Sequence, residues 1–196
     1  MVDMIRTARS EGKVQFRAGV IPWLNRLNEY QIPVLIFSAG LGNVIEEIII
    51  QEGLQDHNIQ IISNFLDFPQ DRNEPALSFK GEIIHCYCKH GSHVPREQWT
   101  EKVMDRKHAI LAGDSLGDAD MGIGMDHDVL FKLGFCHSEL PQDFKKYQEK
   151  FDRVLGNVPD VGYLQRLTEE IIAGVVRTEA QPEGGAEQIE AKVTKS

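Results

Sequence analysis

Two aspartates, four positions apart, occur in the segment Gly113-Asp114-Ser115-Leu116-Gly117-Asp118, which directly follows the apolar run from His108 to Ala112. Carboxylate oxygens are the ligands that Mg²⁺ prefers, and one or two rigidly held carboxylates are enough when water and a substrate phosphate complete the octahedral shell. The two glycines allow the backbone to turn sharply and to approach a ligand closely. The segment therefore predicts a Mg²⁺ site where a strand ends, although aspartate also commonly caps helices and forms turns.

Two further groups indicate phosphate chemistry. Ser38-Ala39-Gly40 follows the apolar run from Pro33 to Phe37, and Lys89 follows a predicted strand. A hydroxyl and accessible backbone N–H groups ahead of a helix N-terminus can hold a phosphoryl group, and a lysine can neutralise its charge. Each motif alone is better explained as an ordinary turn or a solvated charge. All three, however, fall at predicted carboxyl ends of strands, where doubly wound sheets bind their ligands.

Composition excludes several classes of protein. The chain has 196 residues, a formal net charge of -9 and a pI of about 5.2. Because phosphate backbones are held mainly by lysine and arginine, this acidic balance disfavours a nucleic acid duplex or a membrane as partner. No apolar run approaches the roughly 20 residues of a membrane span, and an odd number of cysteines fits a reducing compartment. We expect a cytoplasmic protein, and its oligomeric state stays open.

Apolar periodicity predicts helices that alternate with short strands. Helical spacing marks residues 20–30, 43–51, 95–104, 140–151 and 160–176, and apolar runs mark strands at 33–37, 59–65, 79–87 and 109–111. Such alternation predicts an α/β protein with a doubly wound, mostly parallel sheet. Residues 177–196 hold almost no large apolar side chain and are expected to form a disordered tail.

The order of these motifs resembles that of a known family. Phe37-Ser38-Ala39-Gly40, Lys89-His90-Gly91 and the aspartate segment are similar to motifs two, three and four of the haloacid-dehalogenase-type phosphatases. Ser63-Asn64-Phe65 and Phe79-Lys80-Gly81-Glu82, among other stretches, resemble the cytosolic 5′-nucleotidase III group, which includes the pyrimidine and 7-methylguanosine nucleotidases. The resemblance covers about residues 17–172.

The resemblance implies a Rossmann-like fold and a phosphoric monoester hydrolase. In this family a Mg²⁺-bound aspartate attacks the 5′-phosphate of a nucleoside monophosphate, and water hydrolyses the resulting aspartyl-phosphate. By motif, Ser38 and the backbone of Ala39 and Gly40 would bind the phosphate. Lys89 would hold the phosphate and nucleophile charges together, Asp114 would ligate Mg²⁺, and Asp118 would support that site without direct ligation.

One expected motif is missing. The nucleophile motif, Asp-x-Asp at the end of the first and central strand, should lie upstream of Ser38, and the 37 residues there contain none. Asp118-Ala119-Asp120 belongs to the metal motif and Asp126-His127-Asp128 does not follow a core strand, so we do not expect the nucleophile at either. The resemblance thus predicts an incomplete core at 19–176, whose sheet lacks its central strand, and a cap remnant at 1–18.

Two functional hypotheses follow. The first is a Mg²⁺-dependent 5′-nucleotidase, inactive in this form unless a segment with the nucleophile is supplied. The second is a non-catalytic protein that binds phosphate or nucleotide through Ser38, Lys89 and Asp114. A zinc site is a third, weaker interpretation of one crowded segment, which we explain more simply by small buried cysteines; its residues are His85, Cys86, Cys88, His90 and His93.

Overall fold

The computed structural model describes residues 1–68, 78–85, 106–156, 158 and 160–179. Residues 69–77, 86–105, 157, 159 and 180–196 lie outside the described part, and so do Lys89 and the helix expected at 95–104. The chain divides into two compact units, residues 1–160 and residues 161–196.

The first unit alternates helices and strands, as the periodicity predicts. Its helices are α1 (Val2–Ser10), α2 (Val20–Glu29), α3 (Gly42–Gln51) and α4 (Pro141–Lys150), and a 3-10 helix covers Leu116–Asp120. Its strands are β1 (Val34–Leu41), β2 (Ile59–Asp67), β3 (Ser78–Lys80), β4 (His108–Gly113), β5 (Val129–Phe135) and β6 (Arg153–Leu155).

The described strands form two three-stranded sheets. In the order β1-β2-β3, β1 and β2 are parallel and β3 is antiparallel, whereas β4, β5 and β6 are all parallel. The apolar stripes of α2 and α3 cover the first sheet, around a buried cluster of Leu24, Leu27, Ile49 and Leu54. Trp23 is partly buried and packs against this cluster. The fold is therefore α/β with mostly parallel strands, as predicted.

In the described part of the chain, β1 and β4 each have one edge without a strand partner. Val34, Leu35, Ile36 and Phe37 are only half-buried although the run is continuously apolar, and Ile110 of β4 is exposed. The Arg106 side chain, just before β4, donates to the carbonyl of Gln31, just before β1, at 3.3 Å. These open edges agree with the expected absence of a central strand, because parallel strands are normally covered on both sides.

Several boundaries differ from the prediction. Ser38-Ala39-Gly40 lies within β1, not after it, with an irregular register between Phe37 and Leu41. The strand expected at 79–87 ends at Lys80, because Gly81 adopts a positive φ of 72°. Strands β5 and β6 were not predicted: Lys132 and Gly134 interrupt the apolar pattern of β5, and β6 has only three residues.

The amino-terminal residues form a helix that sequence periodicity did not reveal. Ile5 of α1 is buried, and Arg9 pairs with Glu52 and donates to Gln51 at 3.3 Å, so that α1 is attached to the end of α3. The assignment of residues 1–18 as a cap remnant and of 19–176 as the core stays a prediction.

The second unit contains helix α5 (Gly162–Glu179). Its first residues carry a buried stripe at helical spacing, formed by Val161, Leu164, Thr168 and Ile172. The helix includes residues 177–179, so the tail does not begin at 177 as expected. None of the described helices is both long and apolar enough to cross a membrane.

Leu133 of β5 is 0% exposed, whereas Leu140 is 53% exposed. We expect Leu133→Ala to lower the free energy of unfolding by about 2–5 kcal/mol, since it removes buried methyl groups and leaves a cavity. Leu140→Ala, the same chemical change at the surface, should cost about 0.5 kcal/mol or less. Urea denaturation of both variants measures the difference, and equal losses would contradict the assigned core.

Candidate functional site

At the carboxyl end of β1 the backbone is bound by serine hydroxyls. Ser38 Oγ accepts the N–H of Gly40 at 3.0 Å, and Ser63 Oγ donates to the carbonyl of Gly40 at 2.9 Å. Helix α3 follows at once, and its N-cap residue, Leu41, supplies no side-chain cap. A Cβ at Gly42 would lie 2.5 Å from the Phe65 ring, so only glycine fits at this helix start. The serine loop and the uncapped N-terminus are suited to an anion.

Asn64 joins this loop to a distant segment. Its side-chain amide donates to the carbonyls of Ala39 and Ile84, both at 2.9 Å, and its oxygen accepts the N–H of Ile84 at 2.7 Å. The residue is 6% exposed, and these contacts use both donors and the acceptor of the amide. Asn64 thus holds the backbone at the end of β1 against the segment around Ile84.

At the carboxyl end of β4, the Asp118 carboxylate organises the turn. Asp118 is 3% exposed, and its Oδ2 accepts the N–H groups of Asp114 at 3.0 Å and Ser115 at 2.9 Å. A Cβ at Gly113 would lie 2.3 Å from the Asp118 Cβ, which explains the glycine. The capping role that the sequence left open for aspartate is therefore real for Asp118, and its position behind Asp114 is compatible with an indirect role at a metal site.

The Asp114 side chain is 68% exposed. His137 Nε2 lies 3.9 Å from its Oδ2 and 2.7 Å from the Arg17 guanidinium. Arg17 also donates to the Val158 carbonyl at 2.6 Å and lies over the Phe135 ring.

The hydroxyl of Tyr147, on α4, donates to the backbone carbonyl of Asp114 at 2.6 Å. Its ring stacks on Phe151, and the absence of a Cβ at Gly134 makes room for both rings. Burial, assisted by nearby negative charges that include Asp114 and Asp118, raises the pKa of Tyr147 above its usual value. The hydroxyl therefore stays protonated and can donate.

The structure places the expected residues in two groups. Ser38, Ala39 and Gly40 end β1, and Asp114 and Asp118 follow β4 in the other sheet. Lys89 lies outside the described residues, as do most residues of the zinc interpretation. Within the described ranges, no three His, Cys, Asp or Glu side chains are grouped to hold a metal ion. Of the two aspartates at the β4 turn, Asp114 offers the exposed, hard oxygen ligand, which fits Mg²⁺ when a phosphate and water supply the rest.

Asp126 lies at the other end of β4. It pairs with Lys107, the residue just before that strand, and this hydrogen bond lowers the pKa of the Asp126 carboxyl below its ordinary value. Asp126 is therefore at the amino end of the strand, remote from Gly113, where a nucleophile would serve no purpose. This agrees with the expectation that it is not the nucleophile.

No role was assigned from the sequence to Asn64 and Tyr147, which form hydrogen bonds to the backbone of the candidate site. Asn64 was part of a recognised motif but had no assigned role, and Tyr147 counted only as one position of an apolar helix stripe. A buried asparagine in an apolar strand is a signal that a backbone group needs a partner. No local signal links Tyr147 to Asp114, since 33 positions separate them in the chain.

Comparisons with known proteins agree with this architecture. A model of the family "Pyrimidine 5′-nucleotidase (UMPH-1)" matches residues 2–172. The 7-methylguanosine phosphate-specific 5′-nucleotidase A of Xenopus laevis is 33% identical over 89% of this chain and 57% of that protein. The 7-methylguanosine phosphate-specific 5′-nucleotidase of Homo sapiens is 32% identical over 87% of this chain and 57% of that protein. The putative cytosolic 5′-nucleotidase 3 of Caenorhabditis elegans is 32% identical over 86% of this chain and 45% of that protein.

Among solved structures, cytosolic 5′-nucleotidase IIIB bound to cytidine matches with a TM-score of 0.74 and 29% identity, over 84% of this chain and 55% of that one. The fold and the motif order thus define an α/β protein of the same architecture as that nucleotidase. The chain belongs to the pyrimidine 5′-nucleotidase (UMPH-1) family, which confirms the resemblance. It spans about half the length of the relatives that it matches.

We expect Asn64→Asp to lower the free energy of unfolding by about 3 kcal/mol, because a carboxylate cannot donate to the carbonyls of Ala39 and Ile84. Asn28→Asp is the matched control: Asn28 uses its side-chain oxygen to accept the N–H of Asn58, which aspartate also can do. The control should lose about 1 kcal/mol or less. Chemical denaturation at neutral pH compares them, and a loss at Asn28 as large as that at Asn64 would refute the explanation.

Proposed function

We propose that this chain is the phosphate- and metal-binding part of a cytoplasmic, Mg²⁺-dependent 5′-nucleotidase that hydrolyses nucleoside 5′-monophosphates. The observation that carries the proposal is the pair of turns at the carboxyl ends of β1 and β4, in a chain that belongs to a nucleotidase family. One turn has serine hydroxyls and an uncapped helix N-terminus, and the other has an exposed aspartate. Both the class of substrate and the activity come from the names of the relatives.

Each group has a distinct task in this proposal. Ser38 and the N–H groups that follow it bind the phosphoryl oxygens, with Lys89 as the neutralising cation. Asp114 would hold Mg²⁺, which supplies charge neutralisation at the phosphate. Asp118 keeps Asp114 in place through the two backbone hydrogen bonds.

Turnover needs a nucleophile that the described residues do not provide. We propose that it lies on a strand inserted between the open edges of β1 and β4, which would bring the two turns into one sheet. The 196-residue chain by itself should therefore release no phosphate. The same open edges favour a second candidate, a protein that binds phosphate at these turns without catalysis.

A chimaera separates the two candidates. The part of the Xenopus laevis relative that this chain does not match is fused ahead of residue 1, and phosphate release from nucleoside 5′-monophosphates is measured with and without Mg²⁺. We expect the chimaera to be active and Mg²⁺-dependent, and Asp114→Asn in it to lower activity by about 100-fold or more.

Asp126→Asn is the matched control, since Asp126 pairs with Lys107 at the amino end of β4 and has no assigned task. It should retain the activity of the chimaera. A folded chimaera that binds phosphate but releases none would favour the non-catalytic protein. An equal loss in both aspartate variants would contradict the role assigned to Asp114.

A further inference from the structure

The two peptide groups that flank the Asp114 Cα are both held by hydrogen bonds from elsewhere in the fold. Asp118 Oδ2 accepts the N–H of Asp114, in the peptide before this residue, and the N–H of Ser115, in the peptide after it. The carbonyl of that second peptide is Asp114 O, which accepts the hydroxyl of Tyr147 at 2.6 Å. Asp118 and Tyr147 thus hold opposite sides of one planar group.

This arrangement fixes the direction of the Asp114 side chain. When both flanking peptide planes are held, φ and ψ of the residue between them are set, and so is the Cα–Cβ bond. The side chain itself is mostly exposed. The two held peptide groups therefore fix the point and the direction from which the Asp114 side chain extends.

The anchor for Tyr147 is built into the second sheet. The ring stacks on Phe151 with a centroid distance of 5.6 Å. A Cβ at Gly134, in the central strand β5, would lie 2.8 Å from the Phe151 ring and 3.1 Å from that of Tyr147. Gly134 allows the stacked rings of Tyr147 and Phe151 to lie against β5. In this position the Tyr147 hydroxyl reaches the carbonyl of Asp114 at the β4 turn.

From this geometry we infer that Tyr147 is a positioning residue for the carboxylate of Asp114 and thereby sets the affinity for Mg²⁺. The inference rests on the proposed function, in which Asp114 holds the metal. Tyr147 touches neither metal nor substrate in this role. Residues that orient metal ligands typically change metal affinity by 10- to 100-fold when they are lost.

The test uses the full 196-residue chain and Mg²⁺ alone. The backbone amide signals of Gly113, Asp114 and Ser115 are followed by nuclear magnetic resonance as Mg²⁺ is added. Tyr147→Phe keeps the stacked ring and removes only the hydroxyl. We expect it to raise the Mg²⁺ concentration at half-saturation by about 10-fold, and to speed up hydrogen exchange at the Ser115 amide in the metal-free protein.

Tyr30→Phe is the matched control, because Tyr30 is the C-cap residue of α2 and its ring contacts Arg26, with no contact to Asp114 or Asp118 among the described residues. It should change neither quantity. If the wild-type signals saturate with Mg²⁺ and Tyr147→Phe has the same half-saturation concentration and the same Ser115 exchange rate, the positioning role alone is overturned. A wild type without any saturable response would overturn the metal assignment of the proposed function, and the inference with it.

Discussion

The candidate site depends on one constraint: where a strand ladder ends, its backbone polar groups still need partners. At the ends of β1 and β4 the chain meets this need with a buried polar side chain in each case. The Asn64 amide donates to the carbonyl of Ala39, and the Asp118 carboxylate accepts the N–H groups of Asp114 and Ser115. Because both side chains are buried, the turns they hold are rigid, and the groups between them can face a ligand without losing their places.

The same constraint relates the site to the open sheet edges. Strands β1 and β4 are apolar enough for the interior of a parallel sheet, yet each lacks a described partner along one edge. Even so, side chains from β2, the 3-10 helix and α4 form hydrogen bonds to the backbone at the ends of these two strands. Under the proposed function, a strand between β1 and β4 would complete the sheet.

Sequence patterns predicted the regular elements where periodicity was continuous. The helices at α2, α3 and α4 and the first two strands of the first sheet were found close to their true bounds. Prediction failed at β5, whose pattern Lys132 and Gly134 interrupt, and at the strand that Gly81 ends early with a positive φ. The cause at β5 is tertiary, since Gly134 makes room for two rings, whereas the early strand end has the local cause of the Gly81 backbone conformation.

The sequence by itself determined the class of fold, the family and the two turns, because glycine, serine and aspartate at strand ends are local features with local causes. Only the tertiary structure decided how those turns are held. Asp118 accepts two backbone N–H groups of the turn after β4, and Tyr147, on α4 and 33 positions from Asp114 in the chain, donates to the Asp114 carbonyl. Such contacts join residues through the packing of the second sheet, and the spacing of residues along a chain carries no record of that packing.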